Sequence, residues 1–452
     1  MESIKNVKGT HDVIGSEASL YSAVESLLKQ IAELFAYTEV RPPVLEYSQL
    51  FVRGVGESSD VVRKEMYTFD DKGGRSLTLR PEFTAGIMRL IVQNKLLATA
   101  TELPLKAYYC GPVFRYERPQ LGRYRQFNQF GVESVGHNSP VNDVEVISMA
   151  YTMLFSLGLE NVTIKINTLG DDASRNAYKA ALKEFFADKI ENMCEDCKSR
   201  YELNPLRILD CKVPEDQEIV KGAPKMSDYL NEESKARFMK VLEGLTKLEI
   251  PFEVDDTLVR GLDYYSDTVF EFHYVSEKGN DYGAIGAGGH YGKLVQELGG
   301  PDVPGIGFSF GVERLVSVIQ DDDLVPSGID SGCDVYVMAL GEENKIHGLF
   351  LADKARLLGY NADMCFDDTK VGNMFKRAEK KGAKLAIIIG DNEVKDNKVV
   401  IKNMESKEQI EVPLKEYEDK LLELLSPEEC DCHHDRDCCE GDECCCRKEE
   451  KE

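Results

Sequence analysis

The sequence predicts two folded units: an α+β domain built on an antiparallel sheet and carrying a helical insertion, followed by a smaller α/β domain. Three observations predict this. Residues 105–136 place strand-like flanks around a polar centre containing Pro and Gly, the pattern of two antiparallel strands joined by a long loop. Strand signals vanish between about 171 and 248, where charged helical segments take over. Beyond residue 332, strands and helices alternate over a stretch long enough to fold alone. We therefore expect a first domain over 1–325 with its insertion at about 171–248, an α/β domain over 326–427, and a cysteine-rich acidic tail over 428–452. The 452 residues match a prior of about three such segments.

Residues 17–36 carry Leu20, Val24, Leu27, Leu28, Ile31, Leu34 and Phe35 at helical spacing, which predicts an amphipathic helix. Tyr37 to Leu45 is β-branched and ends near Pro42-Pro43, which suits a strand at a sheet edge or an interface. Residues 75–83 alternate as a strand, and 87–98 follow as helix. After the strand pair, 141–157 predicts a helix and 161–169 a strand. Strand and glycine signals return at 252–272 and 282–310, and a short helix follows from Val312 to Gln320. Residues 321–332 are polar with Pro and Gly, as a linker would be. The tail has almost no apolar aliphatic side chains, so its composition predicts disorder unless something binds it.

The net charge of −25 argues, taken alone, against a nucleic-acid partner. Its distribution argues otherwise. Residues 428–452 hold 11 acids and 4 bases, a share of −7, which leaves −18 for residues 1–427. Within that remainder 115–125 holds four arginines and one acid, and 370–384 holds six bases and one acid on a predicted helix. These are local positive zones of the kind RNA contacts need, with a solvated helix face as the alternative for the second. No apolar run is long enough to span a membrane. The first residues lack the apolar core of a secretory signal, and the cysteines of the body are too sparse for a disulfide scaffold. A reducing cytoplasm is the expected compartment.

Several constellations carry possible chemistry. The arginines Arg115, Arg118, Arg123 and Arg125 surround a Pro/Gly loop; this is either a solvated hairpin or a grip on a polyphosphate or an RNA end. Leu258–Tyr265 (LVRGLDYY) is either an edge strand or a pocket wall with a fixed cation. Gly283–Gly311 is dense in glycine, which permits close backbone approach but lacks a phosphate-loop lysine pattern. Arg314 falls in the first turn of the helix after the last strand, where it can face whatever lies over the sheet. Cys194, Cys197 and Cys211 offer three thiolates, one short of a structural zinc set. The tail's seven cysteines with His433 and His434 suit a soft metal or a reduced, unstructured segment.

These residues carry a resemblance. KGTHDV (8–13), TLRPEFTA (78–85), FRYERPQLGRYRQFNQFGVE (114–133), LVRGLDYY (258–265), AGGHYGKL (287–294) and GFSFGVERL (307–315) resemble, in order, the motifs of bacterial histidyl-tRNA synthetases. These are class II aminoacyl-tRNA synthetases, and the resemblance spans residues 4–425. It implies a class II catalytic domain, an anticodon-binding C-terminal domain and ligation of L-histidine to its tRNA through a histidyl-adenylate. It further implies ATP as substrate, Mg²⁺, and a homodimer formed around the segment ending at Pro43. Arg115 and Arg260 are the implied catalytic arginines, both on the α-phosphate. The implied histidine site comprises Glu82, Phe83, Thr84, Arg115, Gln129, Glu133, Arg260, Tyr264 and Tyr265. Within it Glu82 and Thr84 take the amino group, and Glu133 with a tyrosine reads the imidazole. Arg115, Glu117, Arg123 and Arg314 are the implied ATP residues, and Arg118 and Gln120 the acceptor-end residues. The sequence departs from the family at Phe83, where Gly is commoner, and at His290 and Gly292, where Arg and Asp are commoner. A non-catalytic relative, the regulatory subunit of an ATP phosphoribosyltransferase, is the alternative. Such proteins usually lack the anticodon domain and erode the substrate motifs.

Overall fold

The computed structural model describes residues 4–118, 122–326, 329, 332–367 and 369–426. They fall into two compact units divided after Ile329.

Among its described residues the first unit holds eleven strands: β1 (Thr38–Glu39), β2 (Leu45–Tyr47), β3 (Tyr67–Asp70), β4 (Ser76–Leu79), β5 (Leu105–Phe114), β6 (Gln126–Val135), β7 (Val162–Thr168), β8 (Phe252–Val254), β9 (Ser266–Val275), β10 (Asp281–Tyr291) and β11 (Gly305–Gly311). Eight form one sheet in the order β1-β5-β6-β11-β10-β9-β7-β8. Its six central strands pair antiparallel, and the short edge strands β1 and β8 add parallel. The remaining strands form a small sheet, β2-β4-β3.

Alternation along β6 sorts its two faces. Phe130 and Val132 join the core beneath the helices Ser16–Leu34, Pro140–Ser156 and Val312–Asp321, whereas Gln129 and Glu133 turn to the opposite face. The helix Ser16–Leu34 buries Leu20, Val24, Leu28 and Ile31 as its spacing predicts, but Leu34 is exposed at the end of the helix. The segment after β4 is helix over Thr84–Gln93 and again over Leu96–Thr99, interrupted where Lys95 takes a positive φ. Between β7 and β8 there is no strand among the described residues. The chain there runs through helices Asp172–Phe186, Glu195–Leu203, Pro214–Val220 and Glu232–Lys247 with 3-10 turns between them.

Leu258–Tyr265 is not a strand. It is irregular backbone between β8 and β9. Asp263 fixes it, accepting from Ser58 Oγ and, at 2.9 Å, from Asn204 Nδ2, while its own N–H donates to Val55 O at 3.2 Å.

The second unit is a five-stranded sheet, β13-β12-β14-β15-β16, made of β12 (Val335–Ala339), β13 (Ala362–Met364), β14 (Leu385–Ile389), β15 (Lys398–Asn403) and β16 (Gln409–Pro413). β12, β13 and β14 are parallel; β15 and β16 add antiparallel. The helix Lys345–Leu357 crosses from β12 to β13, and Val371–Lys380 from β13 to β14. The cations of 370–384 are only partly available: Arg377, Lys381 and Lys384 pair with Asp367, Asp363 and Asp334. The tail and Gln120 lie outside the described residues.

Candidate active site

The face of the large sheet away from the helices floors a cavity of about 630 Å³ in the first unit. Glu133, on β6, lines this cavity and is 1% exposed. Its Oε1 accepts from Thr84 Oγ1 at 2.7 Å and from Tyr109 OH at 3.3 Å, and its Oε2 accepts from Tyr291 OH at 2.7 Å. Burial dominates and pushes the carboxyl up to about 8, against the pull of these hydroxyl donors. β11 lies beside β6 with Gly307 opposite Glu133. A Cβ there would collide with the carboxylate, so only glycine lets Glu133 lie against the strand. Gly289 on β10 clears space for the Tyr265 ring in the same way: an added Cβ would lie 2.8 Å from that ring.

Glu82 ends the turn before the helix Thr84–Gln93. Its carboxylate accepts the helix's first N–H groups, from Thr84 at 2.6 Å and Ala85 at 3.0 Å. Burial raises its carboxyl, while those N–H bonds oppose the rise. Tyr264 and Tyr265, both nearly buried, form an aromatic wall with ring centroids 4.6 Å apart, and Tyr264 meets Tyr291 edge-on at 5.8 Å. Gln129 lines the same floor and reaches Ser309 Oγ at 3.5 Å.

Two guanidinium groups are fixed in the cavity. Arg115, at the end of β5, donates Nε–H to Pro81 O at 2.8 Å and lies 3.8 Å from Glu117. Arg260 pairs with Glu271 on β9, and Glu271 in turn meets His273 Nε2 at 2.9 Å. Burial is the largest influence on the Arg260 guanidinium and works against its charge, but Glu271 together with Tyr265 and Tyr264 outweighs it and holds the group above its ordinary range. Arg314, in the first turn of Val312–Asp321, donates to Ala284 O; burial, then the charge of Arg123, lowers it to about 10. Arg123 lies 3.9 Å from Glu117.

All the residues expected in the histidine and ATP sites line this cavity except Phe83. Phe83 is a correction. Its ring is buried against Tyr109 at 4.3 Å and beneath the Arg80 guanidinium at 3.8 Å, so its bulk supports the floor from behind. The departure at His290 has a similar cause. His290 is buried beside Ser266 Oγ (3.2 Å) and does not line the cavity, whereas its neighbour Tyr291 does. Arg118 is exposed on the arginine loop. Tyr109 and Glu271 were not singled out from sequence. Each looks like an ordinary strand residue, and only the fold brings them to Glu133 and Arg260.

A family model described as histidyl-tRNA synthetase matches residues 9–315, and one described as an anticodon binding domain matches 334–424. The chain belongs to the histidyl-tRNA synthetase family. It is 46% identical over 419 residues to the histidine--tRNA ligase of Geobacillus sp. (strain WCH70), covering 93% of this chain and 99% of that one. To the histidine--tRNA ligase of Bacillus subtilis (strain 168) it is 45% identical, covering 91% and 96%. The crystal structure of apo histidyl-tRNA synthetase from S. aureus superposes with a TM-score of 0.79 at 35% identity, covering 93% of this chain and all of that one. A Bacillus halodurans structure described as an ATP phosphoribosyltransferase regulatory subunit/histidyl-tRNA synthetase shares the fold at 21% identity and a TM-score of 0.61. The first unit is a class II catalytic domain and the second an anticodon-binding domain. The chain is an aminoacyl-tRNA synthetase with ATP as a substrate, and the regulatory-subunit alternative is the less supported.

Proposed function

We propose that this chain ligates L-histidine to its tRNA in the cavity over β6, by way of a histidyl-adenylate. The observation that carries the assignment of roles is the convergence of two buried carboxyls, Glu82 and Glu133, and two fixed guanidiniums, Arg115 and Arg260, on a single cavity. Glu133 and the tyrosine wall take the imidazole. A ring with two polar nitrogens can exchange hydrogen bonds with a buried carboxyl and the hydroxyls around it, whereas an apolar side chain offers them no partner. Glu82 and Thr84 take the amino group, with Gln129 beside the substrate. The histidine carboxylate then attacks the α-phosphorus of ATP in line and pyrophosphate leaves. Positioning and charge stabilisation are what the protein supplies. Arg115 and Arg260 hold the α-phosphate, while Arg123 and Arg314 hold the outer phosphates. Arg118 and Gln120 meet the acceptor end when histidine moves to the terminal ribose.

Magnesium prefers hard oxygen ligands. Glu271 is engaged by Arg260 and His273, while Glu117 meets its arginines only at 3.8 and 3.9 Å, so Glu117 is the carboxylate placed to hold the cation with the phosphates. The ion would neutralise charge on the leaving pyrophosphate. Exposed Leu45, Tyr47 and Phe69 on the small β2-β4-β3 sheet support a homodimer, and a cytoplasmic setting suits a tRNA substrate.

The test separates the two steps. Arg260→Ala lowers adenylation about 10²–10³-fold, the scale of one lost charge-stabilising donor. Transfer from preformed histidyl-adenylate, followed in single turnover, falls much less. Equal loss in both steps removes Arg260 from the α-phosphate.

A further inference from the structure

The helical insertion holds a cluster that the ligation reaction does not use. Cys194, Cys197, Cys211 and Asp216 each offer a ligand atom, and the four atoms lie within 4.8 Å of one another. The sulfurs of Cys194 and Cys211 are 3.8 Å apart, and Cys211 Sγ lies 3.2 Å from Asp216 Oδ2. A tetrahedral zinc with bonds of roughly 2.3 Å to sulfur sets its sulfurs about 3.8 Å apart. A disulfide would need about 2.05 Å. Asp216 supplies the fourth ligand that a search of the sequence for Cys and His alone leaves out.

The surroundings suit bound thiolates. Cys194 caps the helix Glu195–Leu203, its sulfur accepting the Cys197 N–H at 3.4 Å, so the helix N-terminus faces that sulfur, an arrangement that would favour a metal-bound thiolate. Asp216 is oriented by the Cys194 N–H at 3.1 Å. Cys194 and Cys211 border the open cavity, which gives an ion a way in.

We propose that these four residues bind one zinc ion that ties the short segments of the helical insertion together beside the active site. The segments they join are short, helices of 9 and 7 residues, below the length at which isolated helices hold. From the stapled unit Arg200 and Arg207 reach Asp60 at 3.2 and 2.7 Å, and Arg207 also donates to Ser58 O at 2.7 Å. A few residues on, Glu65 O accepts the N–H of Tyr116, next to Arg115, at 2.7 Å. The ion therefore props the segment on which the arginine loop rests.

The test uses the full-length chain with every cysteine and histidine after residue 429 changed to serine, so that the tail cannot contribute metal. Elemental analysis after gel filtration should give one zinc per chain. Cys211→Ser should lose it, and Asp216→Ala should weaken retention against a chelator at least tenfold, while Asp216→Cys keeps it. In the unsubstituted cluster, EDTA should lower the melting temperature, and zinc but not magnesium should restore it; this arm holds even if Cys211→Ser fails to fold. Zinc well below one equivalent, zinc unaffected by Cys211→Ser, or a melting temperature indifferent to EDTA overturns the proposal. None of these readouts involves histidine or tRNA, so failure here is distinct from failure of the ligase assignment.

Discussion

Glu133 sets the protonation that histidine must meet. Its carboxyl is raised to about 8 by burial, while free imidazole titrates at roughly 6.5. Between these values the pair brings one titratable proton in total, which is the count of a carboxylate–imidazolium ion pair. Below the window both partners are protonated and one proton must leave. Above it neither is, and one must be taken up. Histidine affinity, measured calorimetrically across pH, should therefore peak in the window and fall roughly tenfold per pH unit on either side. Glu133→Gln should weaken binding and move the alkaline limb to higher pH. An unchanged limb would place the titrating group elsewhere. The motif residues at this scale were legible because their side-chain types are chemically demanding. Phe83 was misplaced, because adjacency in TLRPEFTA does not say which way a side chain turns, and its ring turns to Tyr109. Asp216 was missed because carboxylates are too common for one to stand out as a ligand.

At the scale of elements, the packing of β11 against β6 is what seats the carboxyl. Gly307→Ala puts a methyl where Glu133 lies. Overpacking of this kind costs about 1–3 kcal/mol, on the order of tenfold or more in histidine affinity, with a smaller effect on the KM for ATP. Equal effects on both substrates would mean that the strand itself has shifted. Long elements were legible from their periodicity: β5, β6 and the helix Ser16–Leu34 fall where alternation and 3.6-residue spacing place them. Elements of two to five residues, such as β1, β2 and β16, are too short to show a period. LVRGLDYY has strand-like composition but is irregular, because the tertiary bonds of Asp263 to Ser58 and Asn204 override local preference.

For the whole molecule, the net charge of −25 pointed away from RNA, and the chain's membership of an aminoacyl-tRNA synthetase family shows that bulk charge misled. Even the local reading needed correction, since three cations of the 370–384 segment are paired with acids. Binding of histidine tRNA should still weaken with salt, with a slope reporting several phosphate contacts. Deleting residues 428–452 should leave aminoacylation almost unchanged. A flat salt dependence or a large drop in turnover would contradict this picture. The central claim is that the cavity over β6 activates histidine, and pyrophosphate exchange into ATP by the purified protein tests it most directly. Exchange should appear with L-histidine, stay at background with the other amino acids, and collapse in Arg260→Ala. Folded protein that shows no histidine-dependent exchange would contradict the account.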